Sequence, residues 1–166
     1  MSHSWHDSYL GQLRQVVGTR KLIVHSVRAI LLDAQGRALF IRRRGDGYWG
    51  MPAGAMELNE SVYDCMMREV KEETGLDVLR ATLIAIYSSP VKQSYTDRFG
   101  NEHQVVEYLF RVDEWTGRLE TETDESTDAR FFPIDALPQA SSERFARHHE
   151  EVFQDYLRFD GTLILK

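Results

Sequence analysis

Residues 54–76 read GAMELNESVYDCMMREVKEETGL, and the carboxylates of this stretch constrain the chain more than any other feature. Leu58-Asn59-Glu60-Ser61 has the composition of a helix start, with Asn59 or Ser61 near the cap and Glu60 in the first turn. Gly75 has the character of its stop. On a helix between them, Glu69, Glu72 and Glu73 fall at i, i+3 and i+4, with Cβ atoms roughly 5–6 Å apart on one face. Three like charges that close repel, and a hard divalent cation removes the repulsion. Oxygen ligands suit Mg²⁺, with Mn²⁺ as a substitute, better than zinc. A Glu-Val-Lys-Glu-Glu run alone is usually a solvated helix face; the spacing of the whole stretch sets this one apart. Another face carries Val62, Met66 and Val70 in four-residue steps, which reads as core packing. Cys65, the single cysteine, reads as a small buried apolar residue of the same helix.

The stretch as a whole fits G-x(5)-E-x(7)-R-E-U-x-E-E-x-G-U, with U bulky and apolar, through Gly54, Glu60, Arg68, Glu69, Val70, Glu72, Glu73, Gly75 and Leu76. This pattern resembles the Nudix box at every defined position. The resemblance implies metal-dependent hydrolysis of a nucleoside diphosphate linked to another group. It implies a metal held by Glu69, Glu72 and Glu73, with the Gly54 carbonyl often completing the shell. Arg68 and Glu60 form, in that family, an ion pair that holds the loop and orients the glutamates. A further glutamate, some residues ahead of an aromatic pair, often reaches the metal cluster. Here the landmark is Phe131-Phe132-Pro133, which makes Glu125 the first choice and Glu122 the reserve in the acidic loop Glu120–Asp128. Taken alone, that loop reads as a solvated acidic face. Either Glu69 or Glu125 would serve as general base. Many relatives read W-x-x-P-G-G before the box; this chain has Trp49-Gly50-Met51-Pro52-Ala53-Gly54, so its backbone at Ala53 should stay in an ordinary region. A proline near Pro90 marks one ADP-ribose-hydrolysing branch of the family, a single-residue hint. Two other readings use the same scaffold: a diphosphate isomerase, which depends on a cysteine, and a catalytically inactive nucleotide-sensing module, which typically lacks a box glutamate.

A chain of 166 residues suits a single domain with a proper core. One cysteine excludes a disulfide framework and suits a reducing cytoplasm. The start, MSHSWHDSYLGQLRQ, has no long apolar run and reads as neither signal peptide nor membrane span. A net charge of −6 disfavours duplex nucleic acid as a partner, leaving a small nucleotide substrate; homodimerisation stays open.

Apolar periodicity predicts a short helix over 8–17, strands over 21–32, 37–43, around Trp49, 78–88, 105–112 and 129–134, and a closing helix over 141–157. Residues 89–103 read as a polar connection with a turn at Gly100-Asn101, and 116–129 as an acidic loop. This order is α+β, a mixed α/β/α sandwich, which is also the fold the Nudix resemblance implies. The resemblance covers about residues 22–137, with an extension over 1–20 and the closing helix outside it.

Substrate contacts are sought beside the box. Arg42 and Arg44 share one strand face with Arg43 opposing, and an arginine there can clamp a phosphate. Tyr95, Phe99 and His103 lie in the polar connection, where Tyr95 and Phe99 could stack a base or simply cover the sheet edge. His148 and His149 are adjacent, point differently on a helix, and read as surface.

Overall fold

The computed structural model describes residues 5–166, which form three α-helices and nine strands. In chain order these are α1 (Tyr9–Val17), β1 (Leu22–Ile30), β2 (Ala38–Arg43), β3 (Trp49–Gly50), β4 (Ala53–Ala55), α2 (Val62–Thr74), β5 (Asp77–Tyr87), β6 (Ser94–Thr96), β7 (Glu102–Thr116), β8 (Ser126–Phe132), α3 (Glu143–Arg158) and β9 (Ile164–Leu165). A 3-10 turn, Trp5–Asp7, precedes α1. Among these residues no helix is long and apolar enough to cross a membrane.

Six strands form one mixed sheet in the order β4-β1-β7-β5-β9, with β6 also on β7. β1 runs parallel to β7 and β9 parallel to β5, while β4 pairs antiparallel with β1, and β5 and β6 antiparallel with β7. A smaller antiparallel sheet has the order β3-β2-β8. Two apolar cores result. One packs Cys65, Met66 and Val70 of α2 against Val27, Ala29 and Ile41. The other packs Val152 and Phe153 of α3 against Ile30, Phe40, Ile84 and Leu109. The molecule is the expected α+β sandwich, with α2 and α3 serving separate cores.

Several boundaries differ from the sequence expectation, each for a tertiary reason. β7 extends at both ends beyond 105–112 because β6 and β5 supply partners for its polar ends. β6 forms inside the polar connection, closed by the turn at Gly100 with φ +82. The acidic loop ends earlier, at Ser126, where β8 pairs with β2. β9 had no sequence signal; it borrows its pairing from β5.

Candidate active site

Ser61, not Asn59, caps α2: its hydroxyl accepts from Asp64 N, and Asp64 reciprocates in a capping box. Asn59 instead takes a left-handed turn conformation, φ +67. Glu60 therefore stands ahead of the helix rather than in its first turn. It accepts Glu57 N at 2.7 Å and meets Arg68 in a fork, Nε to Oε2 at 3.0 Å and Nη2 to Oε1 at 2.8 Å. Arg68 also donates to Ala55 O, to Glu69 at 2.7 Å and to Glu72 at 3.0 Å. One guanidinium thus ties the loop before α2 to two carboxylates on it. Gly75, φ +74, ends the helix as the sequence indicated.

The cluster itself is smaller than the box. Carboxylate oxygens of Glu69, Glu73 and Glu125 lie within 4.8 Å of one another. Glu72 is more exposed, bonded to Arg68, and lines a neighbouring acidic hollow with Arg44, Glu122 and Glu125. Gly54 stands against Glu69: a Cβ there would come 2.0 Å from its carboxyl carbon. The need for glycine is thus steric. Ala53, free of positive φ, donates its N–H to Glu73 Oε2 at 2.9 Å.

Burial pushes the Glu69 carboxyl up to about 7, opposed by Arg68 and reinforced by Glu125. Burial likewise pushes Glu73 up to about 8, against the pull of Arg43. Glu125 is raised too, by burial and then by Glu72. Arg43 Nη1 lies 3.1 Å from Glu73 Oε1, but that oxygen is buried without a hydrogen bond of proper geometry. Three carboxylates held this close, one with an orphaned buried oxygen, fit a hard divalent cation. Among the described residues no other group of three such side chains converges.

The arginines divide differently from expectation. Arg42 donates to Gly47 O, and Arg44 is engaged with Glu122, Thr123 O and Ser126 O. Neither lines the cleft that runs past Gly54. Arg43, on the opposing strand face, does line it, and its Nη2 donates to Ala53 O at 2.8 Å. Glu122 is thereby turned to Arg44 while Glu125 reaches the cluster.

The cleft beside the cluster, about 270 Å³, runs from Arg43, Ala53 and Gly54 past Arg28 and Glu107 to Tyr95, Arg144 and His148. Tyr95 stacks on His103 with centroids 5.0 Å apart, and Arg144 lies over its ring at 4.5 Å. Phe99 is 70% exposed on the turn, under Arg98. The histidines of α3 correct the surface expectation. His148 Nε2 sits 2.6 Å from Glu107 Oε1, and His149 is buried edge-on against Phe40, its pKa lowered by burial to about 3. Adjacent helical positions diverge by only about 100°, so a broad buried stripe accommodates both. Arg28, Glu107, Gln93 and Arg144 carried no motif; only the lone charges inside apolar strand runs hinted at Arg28 and Glu107.

The NUDIX domain profile matches residues 23–156. An ADP-ribose pyrophosphatase of Methanocaldococcus jannaschii is 31% identical over 144 residues, 84% of this chain and 78% of that protein. An 8-oxo-dGDP phosphatase of Homo sapiens is 36% identical over 87 residues, 51% of this chain but only 27% of the human protein. The crystal structure of a MutT NUDIX hydrolase from Burkholderia pseudomallei superposes with a TM-score of 0.63 at 26% identity, over 79% of this chain and 98% of that one. The chain belongs to the Nudix family and is a pyrophosphohydrolase of that class.

Proposed function

We propose that this enzyme uses Mg²⁺, held by Glu69, Glu73 and Glu125, to cleave the phosphoanhydride of a nucleoside diphosphate derivative, with ADP-ribose the first substrate to test. The observation that carries the reading is the convergence of those three carboxylates within 4.8 Å, one of them presenting a buried oxygen, Glu73 Oε1, that accepts no hydrogen bond. The M. jannaschii relative's name supplies the choice of ADP-ribose.

Attack of water on an anhydride phosphorus loads charge onto oxygens that are already negative. Catalysis therefore needs charge neutralisation and in-line placement more than covalent chemistry. When bound, Mg²⁺ supplies that positive charge and acidifies water. Glu69 and Glu73 hold their positions because Arg68, Glu60 and Ala53 N fix them. Gly54, having no Cβ, lets the Glu69 carboxylate pack against the loop backbone, and its carbonyl and Glu72 are the remaining candidate ligands. Arg43 stands between the cluster and the cleft, placed to meet a phosphate. Glu69 or Glu125 takes the proton of the attacking water. A cysteine-dependent isomerase is disfavoured: Cys65 is fully buried, and burial followed by Glu60 pushes its thiol far up.

The test is a product assay with Mg²⁺ on ADP-ribose, nucleotide sugars, dinucleoside polyphosphates, 8-oxo-dGDP and nucleoside triphosphates. Glu73→Gln should lower kcat at least about a thousandfold, roughly 4 kcal/mol of transition-state stabilisation, with an unchanged circular dichroism spectrum. A folded, fully active variant would overturn the metal assignment.

A further inference from the structure

The cleft extends well past its near end at Arg43 and Gly54. From β4, which carries Gly54, to β6, the sheet steps through β1 and β7. Three inter-strand spacings amount to roughly 14 Å across the sheet. A pyrophosphate alone does not span that distance; the outer part of an extended nucleotide does.

Two side chains on this far stretch lack the partners their chemistry requires. Arg144, in the first turn of α3, forms no ion pair among the described residues. Its Nη2 donates to Lys92 O at 3.2 Å, its Nε is buried with no acceptor, and its guanidinium lies 4.5 Å from the Tyr95 centroid and 5.0 Å from that of Phe145. Burial lowers its pKa, with a smaller contribution from Arg28. The nearby carboxylate, Glu107, is already taken by the Arg28 fork and His148. Gln93 is 4% exposed and lines the same cleft. Its main chain is pinned by Ser89 O and Val105 N, but its side-chain amide makes no hydrogen bond to a described residue. A partly buried cation without an acid, its Nε buried and unbonded, costs stability unless a ligand completes it, and the Gln93 amide, open to the cleft, is free to bond a ligand beside it.

We propose that Arg144 and Gln93 form a second subsite, which binds a phosphomonoester carried by the substrate beyond its pyrophosphate. The inference rests on the pyrophosphohydrolase reading for what enters the cleft. A guanidinium fork matches phosphate oxygens, and the Gln93 NH₂ adds a neutral donor. A stacked base is disfavoured because His103 and Arg144 already occupy the Tyr95 ring.

The experiment compares ADP-ribose with two forms bearing one more phosphate, ADP-ribose 2′-phosphate on the nucleoside side and ADP-ribose 1″-phosphate on the other. At least one phosphorylated form should be favoured by the wild type about tenfold or more in kcat/KM, the least that one hydrogen bond to a charged group contributes. The difference should sit mainly in KM. Arg144→Gln should abolish most of the preference, Arg144→Lys should retain part of it, and Gln93→Leu should reduce it. Calorimetric binding of the same three compounds to Glu73→Gln reads the subsite without turnover. Equal affinity for all three, or a preference that survives in folded Arg144→Gln, would overturn the subsite. Cleavage of none of them, with the binding preference intact, would count against these compounds as substrates and leave the subsite standing.

Discussion

Glu107 and Glu73 are both buried carboxylates, and burial pushes both toward the neutral form, yet they end in opposite states. At Glu107 that push is outweighed by Arg28, which donates through Nε and Nη2, and by His148, so its pKa lies far below the ordinary carboxylate range. At Glu73, burial is opposed by Arg43 and Ala53 N but reinforced by Glu69 and Glu125, and the pKa rises to about 8. The difference lies in partners rather than depth. The first site is electrically complete and belongs to the scaffold. The second has too much negative charge for its donors, and that deficit is what a divalent cation would fill.

The comparison can be broken first at Glu107. Glu107→Gln leaves Arg28 buried without its counter-charge, and should cost about 3–5 kcal/mol in urea denaturation; a loss below about 1 kcal/mol would mean the pair is replaceable. Within the frustrated site, Glu125→Gln should lower kcat about tenfold or more, while Glu122→Gln and Glu120→Gln should stay within about twofold. If all three variants fall equally, the loop is only an acidic face.

A pH series without metal sharpens the contrast. Glu69 and Glu73 have folded pKa values of about 7 and about 8, above the ordinary 4.5. Their protons stabilise the fold fully at low pH, and that contribution is lost as pH rises through 7 to 8. His149, lowered to about 3, works in the opposite sense, its contribution fading only below its ordinary 6.5. From about pH 6.5 to about 8.5, in EDTA, the melting temperature should therefore fall, and Glu73→Gln should flatten the slope. A rising wild-type curve would contradict the frustrated cluster. The smallest effect is metal linkage. With a Kd on the order of 1 mM, about 10 mM Mg²⁺ adds roughly 1.4 kcal/mol, or about 3–6 °C. Glu73→Gln should gain less, and equal shifts in both proteins would place the ion elsewhere.

What was legible in the sequence is what lies within one helix or one turn. The i, i+3, i+4 carboxylates, the Gly75 stop, the apolar stripe of Cys65's helix and most strands follow from local period and composition, which the backbone enforces directly. Even there, both Asn59 and Ser61 suit the cap, and the left-handed turn at Asn59 decides for Ser61.

The rest was decided between segments far apart in the chain. Arg28 meets Glu107 across 79 positions because β1 and β7 align in parallel, and Glu125 reaches Glu73 because β8 pairs with β2. The face of β2 that meets the cleft selects Arg43, while Arg42 and Arg44 are absorbed by turn carbonyls and Glu122. The packing of α3 turns His148, His149 and Arg144 inward. Sequence determined the glutamate-bearing helix because helical period brings near neighbours together; only tertiary structure decided which distant partners complete or leave incomplete each buried charge, because strand register and helix docking depend on the whole fold.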